Sequence, residues 1–212
     1  MDMFSLLLVV GIVLLALSGF FNFISWSFNA PAIIALALVW LVATYNRFIT
    51  LRTHVREAWA DIEVQLKRRY DLIPNLVETV KGYASHERET FDRVVQARSA
   101  AMQAQTLKEH AEKENVLTGA LKSLFALAEN YPQLRAVESF TELQRELTDT
   151  EDKIQSARRF YNGNVRDYNI AIQLFPMNVV ATLFHFATQD FFELGGGEAA
   201  AREPVKVSFP KG

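Results

Sequence analysis

The stretch from Leu51 to Glu89, LRTHVREAWADIEVQLKRRYDLIPNLVETVKGYASHERE, decides the fold of this chain. Its apolar residues form two rows with a spacing of seven, which is typical of a helix that buries one long seam in a coiled coil or helix bundle. The register is the same on both sides of Pro74, which predicts one helix that is kinked at the proline. The rows consist of Val55, Ile62, Leu76 and Tyr83, and of Trp59, Leu66, Ile73 and Val80.

The composition limits the functions that the chain can serve. Its 22 Lys and Arg nearly balance its 24 Asp and Glu, and the first 46 residues carry a single charge, Asp2. A soluble part with so balanced a charge has no general attraction to nucleic acid, so we expect no nucleic-acid partner. The absence of cysteine excludes disulfides, thiolate zinc sites and cysteine-based catalysis.

The first 49 residues predict a membrane anchor. Residues 3–28 contain no charge and residues 31–45 add a second uncharged stretch, whereas about 20 residues suffice for one helical span. Asn29 can cap a helix that starts near Pro31, which predicts a helical hairpin with spans at about 4–26 and 31–49. A single N-terminal transmembrane helix and a cleaved signal peptide are the alternatives, although the apolar run lacks the basic segment of a signal peptide.

Three arginines indicate the orientation of this anchor. Arg47, Arg52 and Arg56 follow the second span, and no basic residue precedes it. Because positive residues near a span tend to stay in the cytoplasm, we expect the soluble part to be cytoplasmic.

Residues 50–186 predict an antiparallel four-helix bundle with two long helices. The first helix covers 59–83 and continues from the second span. Ser85 can cap a second helix, and a third is predicted at about 115–130, with the polar stretch 103–115 as a frayed connection.

The fourth helix has the most regular pattern in the chain. It starts at Ser139, which forms a capping box with Glu142, and it ends before Pro176. A row of large residues lies beside a row of mostly small ones, an arrangement that lets neighbouring helices interlock closely. The large row is Phe140, Leu147, Ile154, Tyr161, Tyr168 and Phe175, and the other row is Leu143, Thr150, Ala157, Asn164 and Ala171.

The C-terminal region combines a short helix with a tail. The segment VVATLFHF at 179–186 predicts a short apolar helix. Residues 187–212 predict a flexible tail, with a short strand-like end, PVKVSF, at 204–209. A single strand is not stable alone, so this end must dock on another element or stay mobile.

Two segments resemble the LemA family of bacterial membrane proteins. They are VQLKRRYDLIPNLVETVKGYASHE at 64–87 and RRFYNGNVRDYNIAIQLFP at 158–176. The C-terminal PVKVSF also resembles the end of family members, so the resemblance covers roughly residues 46–209. The residues that match the family motifs are Arg69, Asp71, Pro74, Asn75, Tyr161, Asn162, Arg166, Asp167, Tyr168 and Asn169.

This resemblance implies a helical bundle that is anchored in the bacterial inner membrane and has no assigned enzymatic activity. One class of relatives helps build magnetosome membranes, which implies a role in scaffolding or shaping a membrane. Family members have one N-terminal span, so the additional apolar segment within residues 1–45 departs from the family pattern.

No constellation of residues predicts catalysis, a metal or a cofactor. A di-iron bundle needs Glu-x-x-His on inward helix faces, and no such pair is present. The GGG at 195–197 has neither a strand nor a helix beside it, so it predicts a linker rather than a phosphate-binding loop. The histidines are scattered and never four apart on one helix: His54, His86, His110 and His185.

Arg69 occupies a seam position where an apolar residue is expected. A buried guanidinium needs a carboxylate or several carbonyls as partners, and Asp71 is too near in sequence to face the same side. Glu151 adjoins the seam midway along the fourth helix, which predicts an Arg69–Glu151 ion pair that fixes the register of the two long helices. The alternative is that Arg69 reaches water and binds a partner or an anionic lipid.

The resemblance to the LemA family, together with the lack of a catalytic constellation, implies a non-enzymatic membrane scaffold that self-associates as a homo-oligomer and organises or shapes the membrane or protein partners. The alternative is an envelope sensor or adaptor that transmits a signal through the helix joining the membrane span to the bundle. An enzyme is the least supported class.

Overall fold

The computed structural model describes residues 3–20 and 26–193, except for the side chains of residues 3–8, 19–20, 26–28 and 135. Every regular element in this part of the chain is an α-helix, which confirms the predicted all-α class. The predicted linker at 195–197 and the strand-like end at 204–209 lie outside the described residues. The helices are α1 (Met3–Phe20), α2 (Trp26–Lys81), α3 (Arg88–Met102), α4 (Leu107–Glu129), α5 (Pro132–Arg135), α6 (Glu138–Gln173) and α7 (Met177–Leu183).

Helix α2 is one helix of 56 residues that continues through Pro74. It therefore joins the predicted second span to the first helix of the soluble part without a break, as the sequence predicted. Apart from the half-buried Trp59, the apolar seam residues of α2 are buried up to Val80. Tyr83 lies beyond the end of the helix and is 46% exposed. The heptad register of the seam ends where the helix ends, because a side chain keeps its face only within the helix.

The start of α2 corrects the predicted boundary at Asn29. The helix begins at Trp26 and passes through Pro31, so Asn29 is a helical residue and not a cap. Proline near the start of a helix removes only one backbone hydrogen bond, and the helix tolerates this loss. Asn29 is buried, and its Nδ2 donates to Ser18 Oγ at 3.2 Å, which links α2 to α1 by a polar contact between apolar helices.

The middle of the chain corrects two further boundaries. Helix α3 begins at Arg88 after Glu87, so Ser85 is not its cap. Helix α4 begins at Leu107, eight residues before the predicted start near Asn115. Thr106 and Glu109 form a capping box there: Glu109 N donates to Thr106 Oγ1 at 3.2 Å, and Thr106 N donates to Glu109 Oε2 at 3.3 Å.

Helix α6 confirms the long fourth helix, with 36 residues from Glu138 to Gln173. The large row is buried from Phe140 to Tyr168. Phe175, the last member of the predicted row, is 79% exposed because it lies after the end of the helix.

The chain divides into two compact units. Unit 1 consists of Met1–Glu57 and Gly163–Gln189, and unit 2 of Ala58–Asn162 and Asp190–Gly212. In unit 2, α3 packs against α4, and α4 packs against α5. The largest fully buried apolar side chains of unit 2 are Ile62, Ile73, Leu76, Leu117, Leu124, Leu134, Ile154 and Phe192.

Unit 1 holds the apolar end of the chain. Within the described residues one helix, over Asn29–Lys81, is long and apolar enough to cross a membrane by its length and composition. The part of α1 whose side chains the structure describes, Val9–Ser18, is apolar and shorter than a span. The span-length part of α2 exposes a row of apolar side chains: Ile34, Leu38, Val39 and Val42.

Candidate functional site

Arg69 lies at the centre of a buried polar cluster in unit 2. We call it the Arg69 cluster, and it consists of Arg69, Tyr70, Glu114, Thr118 and Glu151. Arg69 is 3% exposed, and its guanidinium contacts two other helices. Nη1 is 3.2 Å from Glu114 Oε2 on α4 and 3.1 Å from Glu151 Oε2 on α6. Nη2 donates to Thr118 Oγ1 at 2.7 Å. The structure thus brings together the two residues of the predicted ion pair, and it adds a second carboxylate that the sequence reading did not include.

Glu114 is the most deeply buried charge partner in this cluster, with 1% of its surface exposed. Its Oε1 accepts a hydrogen bond from the Tyr70 hydroxyl. Burial raises the pKa of Glu114, the Glu151 charge adds to this effect, and the Tyr70 hydrogen bond and the Arg69 charge oppose it. Burial and the neighbouring Glu114 carboxylate also raise the pKa of Tyr70, so its hydroxyl stays protonated and keeps donating.

A shallow cleft borders the Arg69 cluster on its Glu151 side. Glu151 has 30% of its side chain exposed, whereas the Arg69 side chain is 4% exposed, so water reaches the cluster from the Glu151 edge. The cleft has a volume of about 290 Å³. Its lining combines charged, polar and apolar side chains. The polar lining residues are Thr118, Lys122, Thr148, Asp152 and Gln155, and the apolar ones are Leu121, Phe125 and Leu147.

Asn162 on α6 forms a second polar arrangement in unit 2, with the backbone of the segment after α7. Its Nδ2 donates to the Phe192 carbonyl at 3.1 Å, and the Phe192 N–H donates to Asn162 Oδ1 at 2.9 Å. The adjacent Tyr161 hydroxyl donates to the Asp190 carbonyl at 3.1 Å. We call these contacts the amide clamp. They use a neutral side chain to satisfy both backbone groups of one residue, as a neighbouring strand would.

Phe192 anchors the clamped segment in unit 2. Its side chain is fully buried, and its ring lies edge-on to Trp59 with 5.3 Å between ring centroids. Trp59 also has edge contacts with Tyr161 at 5.6 Å and His110 at 5.5 Å. This docking differs from the predicted tail, which began at residue 187. An aromatic side chain that fills an aromatic pocket stabilises the position of residues 190–192.

A matching contact occurs in unit 1. Asn169 Nδ2 donates to the Gln189 carbonyl at 2.8 Å, and the Gln189 N–H donates to Asn169 Oδ1 at 2.9 Å. Tyr168 beside it is buried. Asparagine is suited to this task because its amide carries a donor and an acceptor with the spacing of a peptide group.

The remaining motif residues lie at the surface. Asp71, Pro74 and Asn75 are exposed on α2. Arg166 Nε and Asp167 Oδ1 are 3.2 Å apart, with side chains 66% and 58% exposed, so this adjacent pair is a solvated one of small energetic value.

The family model described as LemA family matches residues 58–209, which include the Arg69 cluster and the amide clamp. The chain belongs to the LemA family. The match begins within α2, and it leaves out the apolar segments of residues 1–57.

Curated relatives are similar to this chain at low identity. Magnetosome protein MamQ of Magnetospirillum gryphiswaldense is 26% identical over 191 residues, which cover 76% of this chain and 70% of the relative. Magnetosome protein MamQ 2 of Paramagnetospirillum magneticum is 26% identical over 179 residues, covering 72% and 66%. Protein LemA of Metamycoplasma hominis is 27% identical over 144 residues, covering 66% and 64%. None of these names describes an enzyme.

The side chains of this LemA-family chain that could ligate a metal are dispersed in the part of the chain that the structure describes. No group of three or more His, Asp or Glu side chains in residues 3–20 and 26–193 is arranged to hold a metal ion. The polar atoms of the Arg69 cluster are engaged with each other.

The sequence analysis does not predict Glu114 as a partner of Arg69, because it predicts a connection rather than a helix at residues 103–115. The sequence carried two signals for it. Thr106 with Glu109 three residues later is a capping-box spacing, and Glu114 falls on the same helical stripe as Leu117, Leu121, Leu124 and Ala128. A helix extended back to Thr106 would have placed a carboxylate in the seam.

Proposed function

We propose that this LemA-family chain is a non-enzymatic, membrane-anchored helical scaffold of the bacterial inner membrane. In this proposal α2, α3, α4 and α6 form an antiparallel four-helix bundle, which self-associates and organises or shapes the membrane or protein partners. The observation that carries it is the continuity of α2. One uninterrupted helix contains both the apolar stretch with exposed side chains and the buried seam with Arg69.

The polar sites of unit 2 support a structural role. Arg69, Tyr70 and Glu114 satisfy each other, and Asn162 satisfies the backbone of Phe192. Both arrangements fix elements in place, and neither presents a free nucleophile, acid or base to a reacting group. The similarity to relatives named magnetosome proteins is consistent with this proposal.

Self-association is tested by removing the apolar segment. We expect the full chain in detergent to form a homo-oligomer, measured by light scattering, and a chain lacking residues 1–45 to lose it. Helices in a bilayer associate through close packing and interhelical hydrogen bonds, and the deletion removes the apolar helices that would make these contacts. If the truncated chain assembles equally well, the contacts lie in the soluble part and the proposed anchor-based assembly is wrong.

The orientation is tested by single cysteines, which the natural chain lacks. We expect Ser5→Cys and Ser208→Cys to resist a membrane-impermeant thiol reagent in intact cells, and Ser27→Cys to react with it. This result would place both ends in the cytoplasm, as the three arginines after the span favour. Labelling of Ser208→Cys would exclude the cytoplasmic soluble part.

A sensor or adaptor is the second candidate. The continuous helix α2 supports it, because a shift of the span would move Arg69 within its cluster. In this case the cleft beside Glu151 would bind a protein partner that responds to the shift. Capture of a defined partner by the detergent-solubilised chain, with no large homo-assembly, would favour this candidate over the scaffold.

A further inference from the structure

The end of α6 and the whole of α7 present an apolar surface in unit 1. Their outward side chains are large and hydrophobic, and Phe175 is the most exposed of them at 79%. Apolar patches on a soluble surface are costly when contiguous, and they mark contacts with proteins or membranes. We call this patch the α6–α7 surface. It consists of Ile170, Leu174, Phe175, Val179, Leu183 and Phe184.

Helix α7 carries apolar side chains on both of its faces, and Asn178 and Thr182 are its two polar residues. Met177, Val180 and Ala181 are buried, whereas Val179 and Leu183, four residues apart, are 58% and 60% exposed. A helix at a water interface normally directs a polar face outward, and this helix directs an apolar one.

The polar side chain on the exposed part of α7 is satisfied within the helix. The Thr182 hydroxyl donates to the Asn178 carbonyl at 2.9 Å. A hydroxyl bonded to its own backbone enters an apolar environment at little cost, because no unpaired donor is left.

Aromatic contacts place the α6–α7 surface beside the end of the candidate membrane span. Tyr45 is 4.9 Å from Phe184, and Phe48 is 4.9 Å from Phe186, measured between ring centroids. These two residues of α2 flank Arg47, the first charge after the uncharged stretch. These contacts hold the surface at the end of the uncharged stretch of α2, where a span formed by that stretch would leave the hydrocarbon layer.

The charges around this level are those of a membrane interface. The described residues of unit 1 contain four arginines, at 47, 52, 56 and 166, and two carboxylates, Glu57 and Asp167. The Arg52 Cζ lies 5.6 Å from the centroid of the Phe186 ring. Arginine beside aromatic rings is suited to the headgroup region, where its charge meets lipid phosphate and its stem meets acyl chains.

We propose that the α6–α7 surface inserts into the boundary between headgroups and acyl chains of the bilayer that holds α2. The surface is then a second membrane contact of this chain, made by residues remote in sequence from the span. The inference rests on the proposed membrane anchor, because the position of the surface is set by its contacts with Tyr45 and Phe48.

Single cysteines carrying an environment-sensitive fluorophore test this contact in the full chain, which has no native cysteine. Phe175→Cys, Val179→Cys and Leu183→Cys report on the surface. Val42→Cys, exposed on the candidate span, is the lipid reference, and Val116→Cys on α4, which is 60% exposed in unit 2, is the water reference. The chain is reconstituted in vesicles of phosphatidylethanolamine and phosphatidylglycerol, with and without nitroxide-labelled lipid.

We expect the three surface labels to be quenched by nitroxide lipid several-fold more than the Val116 label, and to approach the Val42 label. Quenching no greater than at Val116, with Val42 quenched, would overturn the inference and leave the anchor intact. A blue-shifted but unquenched emission would show that protein, such as a second copy, covers the surface, and it would overturn the lipid contact. Absence of quenching at Val42 would overturn the anchor itself.

Discussion

Unit 2 buries polar groups in two different ways. The Arg69 cluster brings charges from three helices together, with Arg69 between Glu114 and Glu151. The amide clamp uses one neutral side chain, Asn162, to bind both backbone groups of Phe192. Both are inside the region that the LemA family model matches.

The Arg69 cluster and the amide clamp differ in the polar groups that are left unpaired when one side chain is removed. A buried charge without its partner keeps the full cost of its desolvation, whereas an amide that loses a partner leaves two neutral groups that water can reach after a local opening. The charged cluster should therefore control the stability of all of unit 2, and the clamp only the position of residues 190–192.

The largest effect is expected for Arg69→Ala. Removing the guanidinium leaves Glu114 buried and unpaired, which should lower the free energy of unfolding by about 3–5 kcal/mol. Arg68→Ala is the matched control, because Arg68 is adjacent but has 44% of its side chain exposed and lies 3.9 Å from Glu146. The measurement is thermal unfolding of the detergent-solubilised chain by circular dichroism. Equal melting of Arg69→Ala and the natural chain would mean that Arg69 reaches water.

Apolar replacements in the Arg69 cluster show which of the two carboxylates, Glu114 or Glu151, contributes more to stability. Arg69→Met with Glu151→Leu should recover little of the lost stability, because Glu114 still lacks a counter-charge. Adding Glu114→Leu should recover much of it, since buried ion pairs are often replaced by apolar residues of similar volume without loss. Full recovery in the double variant would show that Glu151, rather than Glu114, is the partner that matters.

The two polar sites were not equally predictable from the sequence. A seam that is otherwise apolar identifies Arg69, and the heptad rows of α2 and α6 place Glu151 near it. Glu114 depends on the start of α4, and helix boundaries are the least certain part of such an interpretation. The heptad rows of α2 and α6 also predict burial of Tyr83 and Phe175, and both are exposed. In each case the heptad pattern continues for one step beyond the end of the helix.

The amide clamp had no signal in the periodicity. Asn162 and Asn169 were singled out only because they match the LemA motif, and their partners are backbone groups, which have no sequence signature. Phe192 lies after the polar residues 188–190 and Phe191, in a segment that the sequence predicts to be part of the flexible tail. Its burial depends on the tertiary pocket at Trp59, which local patterns do not encode.

A smaller and local effect is expected for Asn162→Ala. The loss leaves the N–H and carbonyl of the buried Phe192 unsatisfied, at about 1–3 kcal/mol. Hydrogen exchange at Phe192 should become faster, while exchange in α4 stays unchanged. Asn169→Ala is the control, because its contact with Gln189 is exposed and water replaces it at lower cost. Faster exchange throughout α4 and α6 would mean that the clamp supports the whole unit.

The smallest effect is the pH dependence of the Arg69 cluster. The pKa of Glu114 is raised above its ordinary value of 4.5, mainly by burial, so the folded chain binds this proton more tightly than the unfolded chain does. The resulting stability is fully present below about pH 4.5 and is lost as the pH rises through the folded pKa.

Relative to Glu114→Gln, which does not titrate, the natural chain should therefore lose stability as the pH rises from 4.5 towards neutrality. Thermal unfolding of both chains over a pH series measures this difference. The difference in stability between Asn162→Ala and the natural chain should not change with pH, because the amide clamp contains no group that titrates in this range. A difference of the opposite sign at Glu114 would show that Arg69 and the Tyr70 hydroxyl outweigh burial. In that case Glu114 would stay ionised and paired with Arg69 at every pH above the ordinary pKa of a glutamate side chain.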